Sequence, residues 1–302
     1  MKTCTQTAAL QQHFGVEGAI RQIAASGFDH YDVTMTFLKD DDNVFNSPEW
    51  RTETEKLRRV AEECGITCHQ AHAPFPSSKA ETEENRHYNE VIFDRIVRSM
   101  EIAALLGARQ IVIHPKHHVN YYANREALTE LNLAFYRDLL PYAKRFGIRV
   151  AVENMFQRDM VRGNVIVEST CADPREFCAY LDALDPEWFV GCLDIGHVGL
   201  VSRSAPDVIR ALGHDRIHAL HVHDNDFVND LHTLPFTRKL PWEEIIRALA
   251  EIRYDGVMTL EADGFLKSMP EELLPDATRL MAKVARYLAD RVQKQMDERA
   301  KD

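Results

Sequence analysis

The chain has 302 residues, 45% of them hydrophobic, and a formal net charge of −11. That length exceeds one average domain but suits an α/β barrel, and the acid excess argues against a polyanion such as duplex nucleic acid, which is held through Lys and Arg contacts to phosphate. No apolar run approaches the roughly 20 residues that span a bilayer, and the opening stretch MKTCTQTAALQQHFG lacks the apolar core of a signal peptide, so a cytoplasmic protein without membrane contact is expected.

Taken in order, the chain alternates short β-rich runs with helical patterns. A strand near residues 3–9 precedes a helical pattern at 16–26. Further helical patterns cover 49–64, 84–106, 124–146, 173–184, 204–213, 241–252 and 270–293. Gly27, Gly65, Gly107 and Gly147 each close one of these where a left-handed C′ residue is wanted. The runs that follow, such as Ile111-Val112-Ile113 and Val150-Ala151-Val152, are apolar and β-branched, as in parallel strands buried on both faces.

Eight βα units over about 290 residues predict a (β/α)8 TIM barrel in one domain, residues 1–302. The last stretch, from about residue 290, reads as a solvated helical tail. A doubly wound open sheet is the alternative fold, but it would want a Gly-rich phosphate turn, and no GxGxxG or Walker-type sequence occurs. Cys4, Cys64, Cys68, Cys171, Cys178 and Cys192 form no CxxC pair and read as buried free thiols.

The runs end in residues fit to bind a metal. These are His72 in HAPFP, His114 in IVIHP, Glu153 in VAVEN, Asp194 and His197 in LDIGH, His221 and His223 in HVHDND, and Glu261 in TLEAD. Singly each has a bland reading: a strand-end Glu is usually solvated or salt-bridged, and a His on an apolar run is usually a hydrogen-bonded core residue. A barrel gathers the C-terminal ends of its strands around one mouth, and that convergence favours a metal site. Glu153, Asp194, His221 and Glu261 would form a hard O/N set carrying −3, whose repulsion a divalent cation relieves. Such a set suits Mn²⁺, Co²⁺ or Mg²⁺, with Zn²⁺ as an alternative.

VEN, LDIGH, HVHDND and a strand ending in Glu resemble the xylose-isomerase-like barrel superfamily, over the span from His72 to Glu261. That group includes sugar isomerases and epimerases, dehydratases and endonuclease IV. The resemblance implies one divalent metal, manganese first, on Glu153, Asp194, His221 and Glu261. His221 is preferred to His223 because the family's histidine lies three residues before the Asp, here Asp224. It further implies Glu153 and Glu261 as the paired acid and base of an epimerase, and His197 as a substrate-oxygen histidine or a support for Asp194. His72, His114, Lys116, His223, Asp230 and His232 are candidate substrate contacts. Lys116, His117 and His118 read otherwise as a solvated basic loop.

The expected activity is metal-dependent isomerisation or epimerisation of a sugar-like polyhydroxy carbonyl compound. One alternative is a lyase on the same site, a dehydratase or a C-glycoside-cleaving enzyme, the latter with a small partner subunit. Another is an endonuclease IV-like zinc phosphodiesterase, because His72, His114, Glu153, Asp194, His197, His221, Asp230, His232 and Glu261 can all be assigned to a three-zinc cluster. Against that stand the acidic charge and LPFTRKLPW, which replaces the Gly-rich turn of that nuclease. Arg238 and Lys239 would instead meet an anionic substrate group. Trp50, Phe75, Tyr121, Tyr122, Phe156 and Phe265 are rings on which a sugar could stack, though each also suits loop packing. A homo-oligomer is compatible with the family and demanded by no residue.

Overall fold

The computed structural model describes residues 1–117 and 119–301. In chain order the elements are β1 (Thr3–Gln6), α1 (Ala8–Ser26), β2 (His30–Thr34), α2 (Trp50–Cys64), β3 (Thr67–His72), α3 (Arg86–Leu106), β4 (Gln110–Ile113), α4 (Tyr121–Phe146) and β5 (Arg149–Glu153). Then follow β6 (Phe156–Asp159), β7 (Val165–Glu168), α5 (Pro174–Asp182), β8 (Phe189–Asp194), α6 (Ile195–Leu200), α7 (Ala205–Leu212), β9 (Ile217–His221), α8 (Trp242–Glu251), β10 (Met258–Leu260), α9 (Asp263–Lys267) and α10 (Leu274–Arg299).

Eight parallel strands run in the order β10-β1-β2-β3-β4-β5-β8-β9. The ends of that sheet meet in a parallel bridge between Val222 and Leu260, where Val222 N donates to Thr259 O and Glu261 N donates to Val222 O. The molecule is thus a single-domain α/β TIM barrel. The four helix-closing glycines have the expected positive φ, from 67° at Gly65 to 96° at Gly27.

Strand alternation sorts the side chains. Ile111, Ile113, Val150, Val152, Leu193 and Leu220 point outward into the core shared with the helices. Val112, Ala151, Val190, Cys192 and Ala219 form a separate small cluster inside the barrel. Two residues further along β5, β8 and β9, that inward parity reaches Glu153, Asp194 and His221. The chemistry-bearing residues therefore crown the barrel's own interior stack.

Three features differ from the expectation. β1 ends at Gln6 and α1 begins at Ala8, with the helix kinked at Gly15, where φ is 66°; the polar ALQQH segment hid its first turns. An antiparallel hairpin, β6 with β7, rises from the loop after β5. It is short and half exposed, so it has neither helical nor barrel-strand patterning. Finally, α10 continues to Arg299 with Val292 fully buried, and Arg291 and Arg299 pair with Glu243 and Glu251 at the two ends of α8. The solvated stretch expected from about residue 290 thus keeps one anchored face.

Candidate metal centre at the barrel mouth

The mouth is organised around the imidazole of His221. Its Nδ1 lies 2.9 Å from Glu261 Oε2, 3.2 Å from Glu153 Oε1 and 3.9 Å from Asp194 Oδ2. Donor atoms of Glu153, Asp194, His221 and Glu261 all lie within 4.8 Å of one another. His221, Glu153 and Asp194 are almost wholly buried. His221, rather than His223, brings its nitrogen into this group.

The local sequence explains how these groups are held. Asp194 ends β8 and caps α6, accepting from His197 N at 2.6 Å. Asn154, the residue after Glu153, accepts from Asp194 N and donates back to Asp194 O. Its own carbonyl takes the Nδ1 proton of His197 at 2.9 Å, which leaves His197 Nε2 as the free lone pair. LDIGH needs its glycine for room: a Cβ on Gly196 would lie 2.0 Å from the His223 ring.

A second group of donors adjoins the first. His197, His223, Asp230 and His232 also offer atoms within 4.8 Å of one another. His223 Nε2 reaches Asp194 Oδ1 at 3.1 Å, its ring stacks on His232 at 4.1 Å between centroids, and His232 Nε2 donates to Asp230 Oδ2 at 2.9 Å. Asp230 Oδ1 and His223 Nδ1 are buried with no hydrogen-bond partner. On the other flank, His114 Nε2 lies 2.9 Å from Glu153 Oε2 and 3.1 Å from His72 Nε2, while His72 Nδ1 donates to Ala73 O.

Electrostatics follow from this crowding. Burial alone would raise the Glu153 carboxyl, but the imidazoles of His221 and His114 outweigh it and hold the group well below its ordinary value. Burial likewise opposes, and His221 and His232 reverse, the shift of Glu261, which is also held low. His72 is pushed down to about 4 by burial and by His114. His232 moves the other way, to about 10, because Glu261 and Asp230 overcome its burial. Buried carboxylates that stay ionised, imidazole nitrogens aimed between them and partnerless donor atoms make a set that fits a divalent cation on Glu153, Asp194, His221 and Glu261.

The other expected contacts divide. Phe75 packs on His72 and His114, and Phe156 packs on His197, so both rings border the centre. Trp50 and Tyr121 are buried elsewhere, Trp50 beneath Arg51 and Arg98, and Tyr121 with its hydroxyl on Glu176. Lys116 lays its ammonium over the Phe135 ring of α4, and His118 lies outside the described residues. Arg238 and Lys239 are exposed, and neither lines the cleft at the mouth. Their segment is held from behind: the Asp224 carboxylate accepts from Arg238 N, Leu240 N and Trp242 Nε1.

Sequence reading missed several groups. The cleft beside Glu261 and His232 measures about 520 Å³ and takes in Gln6, Gln11, Thr34, Lys39, Asp263 and Lys267. Gln6 and Thr34 end strands whose last residues are not metal-ligand types, so only the barrel register could have pointed to them. Asn154 stood inside a quoted motif, and its role needed the partner strand to be seen.

The family model described as xylose isomerase-like TIM barrel matches residues 20–284. An uncharacterised protein of Sinorhizobium fredii, y4fM, is 27% identical over 236 residues, covering 69% of this chain and 70% of its own length. MJ1311 of Methanocaldococcus jannaschii, also uncharacterised, is 25% identical over 193 residues, covering 63% of this chain and 62% of its own length. Among solved structures, a D-tagatose 3-epimerase-like protein superposes with a TM-score of 0.73 at 17% identity, covering 99% of this chain and 100% of its own. D-psicose 3-epimerase, solved in the presence of D-fructose, gives 0.71 at 17% identity, covering 95% and 99%. The IOLI protein with a bound zinc atom gives 0.68 at 15% identity, covering 97% and 99%.

Proposed function

The chain belongs to the xylose isomerase-like TIM barrel family, and from that premise we propose that it is a divalent-metal-dependent isomerase or epimerase of a sugar or related polyhydroxy carbonyl compound. The observation that carries this is the placing of two glutamates held in the ionised form, buried Glu153 and largely buried Glu261, within 3.2 Å and 2.9 Å of the same atom, His221 Nδ1. A C–H beside a carbonyl is a weak acid, and its removal needs a fixed base together with charge stabilisation at the oxygen. A cation on the quartet, manganese in the first instance, would supply the second as a Lewis acid. One of the two glutamates takes the proton and the other delivers one to the opposite face. His197 Nε2 and the amide and hydroxyl groups of Gln6, Gln11 and Thr34 suit the hydroxyls of such a substrate, and Lys39 and Lys267 suit an anionic end. A lyase on the same residues would share the first proton transfer and then lose a leaving group.

The test is proton exchange. The purified enzyme is incubated with a panel of ketoses and keto-glycosides in D2O, and deuterium entering the carbon beside the carbonyl is followed by NMR. Exchange coupled to interconversion of the two epimers or isomers is expected in the native chain, and loss of that interconversion in both Glu153→Gln and Glu261→Gln with the fold intact. Full interconversion in either variant would remove that residue from the proton-transfer role.

One observation favours a second reading, a multi-zinc phosphodiesterase. His72 and His114 beside Glu153, and His197, Asp230 and His232 beside Asp194, offer ligands for further ions. Metal content decides between the two. About one manganese, cobalt or magnesium per chain supports the isomerase or epimerase, whereas two or three zincs with nicking of abasic-site DNA would replace it.

A further inference from the structure

The opposite, N-terminal end of the barrel carries none of the candidate metal ligands, yet it holds a cleft of about 700 Å³. Its wall is basic. His30 begins β2, His69 lies in β3, Arg109 directly precedes β4, Arg149 begins β5, and His214 and His218 flank the start of β9. Backbone pairing sets three of them side by side: Arg109 N donates to His69 O at 3.0 Å and Arg149 N donates to Arg109 O at 3.2 Å. The rings of His30 and His69 lie 5.2 Å apart. Arg149 shares the inward parity of Ala151 and Glu153, so it stands under the barrel axis.

Opposing charge is scarce here. Several arginines elsewhere on this acidic chain are drawn into ion pairs, as Arg203 is with Glu168 and Asp173 and Arg216 is with Asp182. Among the described residues Arg109 and Arg149 have no such partner. The cleft's carboxylate is Asp255, while nearby Asp29 is already bound by Lys2, Thr3 and Arg286. The imidazoles feel the crowding: burial, His30 and Arg109 push His69 down to about 4, and burial with Arg149 lowers His218. The N-terminal face of a barrel normally serves stability, to which two guanidiniums without an ion-pair partner add no pairing.

We propose that this cleft binds a multivalent phosphate-type anion, free or as the end group of a phosphorylated metabolite, gripped by Arg109 and Arg149 with His30 and His69 as further donors. The planar guanidinium fork matches phosphate oxygens in pairs. The site lies about 13 Å from Glu153 along β5, at 3.3 Å per residue, so its ligand is not the substrate of the mouth.

The experiment is a calorimetric titration of the full metal-loaded chain with inorganic pyrophosphate and, separately, with glucose 6-phosphate, at low and moderate salt. Saturable binding of at least one of them is expected in the native chain, and at least tenfold weaker binding in R109Q/R149Q, whose thermal midpoint without ligand should not fall. Tighter binding of pyrophosphate assigns the site to free phosphates, and tighter binding of the ester assigns it to a phosphorylated metabolite. If R109Q/R149Q does not fold, R149Q alone carries the test, with at least threefold weakening expected. No saturable binding, or equal affinity in native and variant chains, overturns the proposal; in the second case the anion sits at the metal mouth.

Discussion

Asn154 and Asp194 lock to each other across adjacent strands: Asp194 N donates to Asn154 Oδ1 at 2.8 Å, and Asn154 Nδ2 donates to Asp194 O at 3.0 Å. The pair fixes the end of β5 to the end of β8, and with them two carboxylates of the centre. Because Asn154 O also takes the His197 proton, one residue aligns three candidate ligands without being one itself.

Asn154→Leu should therefore loosen metal binding without removing a ligand. Loss of groups that orient ligands typically weakens metal affinity about 10- to 100-fold. Competition against a chelating dye should show a shift of that order, while the metal stoichiometry at saturation stays that of the native chain. Unchanged affinity would mean that the centre holds its shape without this bridge.

The choice between the two histidines of β9 and its extension can be checked directly. His221 shares its nitrogen with three carboxylates, whereas His223 contacts Asp194 alone among the quartet. Elemental mass spectrometry should find the tightly held metal lost in His221→Ala and largely kept in His223→Ala. The reverse order would move the centre toward His197 and His232.

How far these positions could be read from sequence follows from geometry. The strand-end residues were legible because parallel β-runs recur one βα unit apart and a barrel turns that recurrence into a ring. The second donor group was partly legible as NDLH, but its contact with Asp194 depends on His223 stacking on His232. Lys116 looked like a mouth residue by its place after His114, and only the packing of α4 shows its ammonium drawn onto Phe135. The β6–β7 hairpin left no periodic trace, since its pattern is too short to separate from loop.

Gly196 offers a steric test of that stacking. A methyl group there would lie 2.0 Å from a ring atom of His223, and that ring is fully buried between Asp194 and His232. Gly196→Ala should cost about 1–3 kcal/mol, as overpacking does, measured by urea denaturation with an unchanged m-value. A neutral result would show that His223 has an alternative seat.

Asp224 should prove structural rather than catalytic. Its carboxylate accepts three donors from the returning segment, two backbone amides and the Trp242 indole. Asp224→Ala would leave buried donors unpaired at about 1–3 kcal/mol each before relaxation. Limited proteolysis should cut first between residues 226 and 240, and metal content should fall less than in His221→Ala. Native-like resistance to protease would mean that the LPFTRKLPW segment is held by its own apolar packing.

Asp29 is held below its ordinary value: partial burial opposes, but Thr3 N, Lys2 and Arg286 favour the charged form. A carboxylate depressed on folding adds stability that is fully present above its unfolded pKa, near 4, and is lost as pH falls below it toward the folded value. Asp29 joins the start of β1 to α10 through Arg286, so the loss should register in global unfolding. Asp29→Asn should be less stable than the native chain at pH 7, and the gap should close as pH drops below about 4, read as converging thermal midpoints. A gap that stays constant from pH 7 to pH 3 would mean that the bridge acts through shape rather than charge.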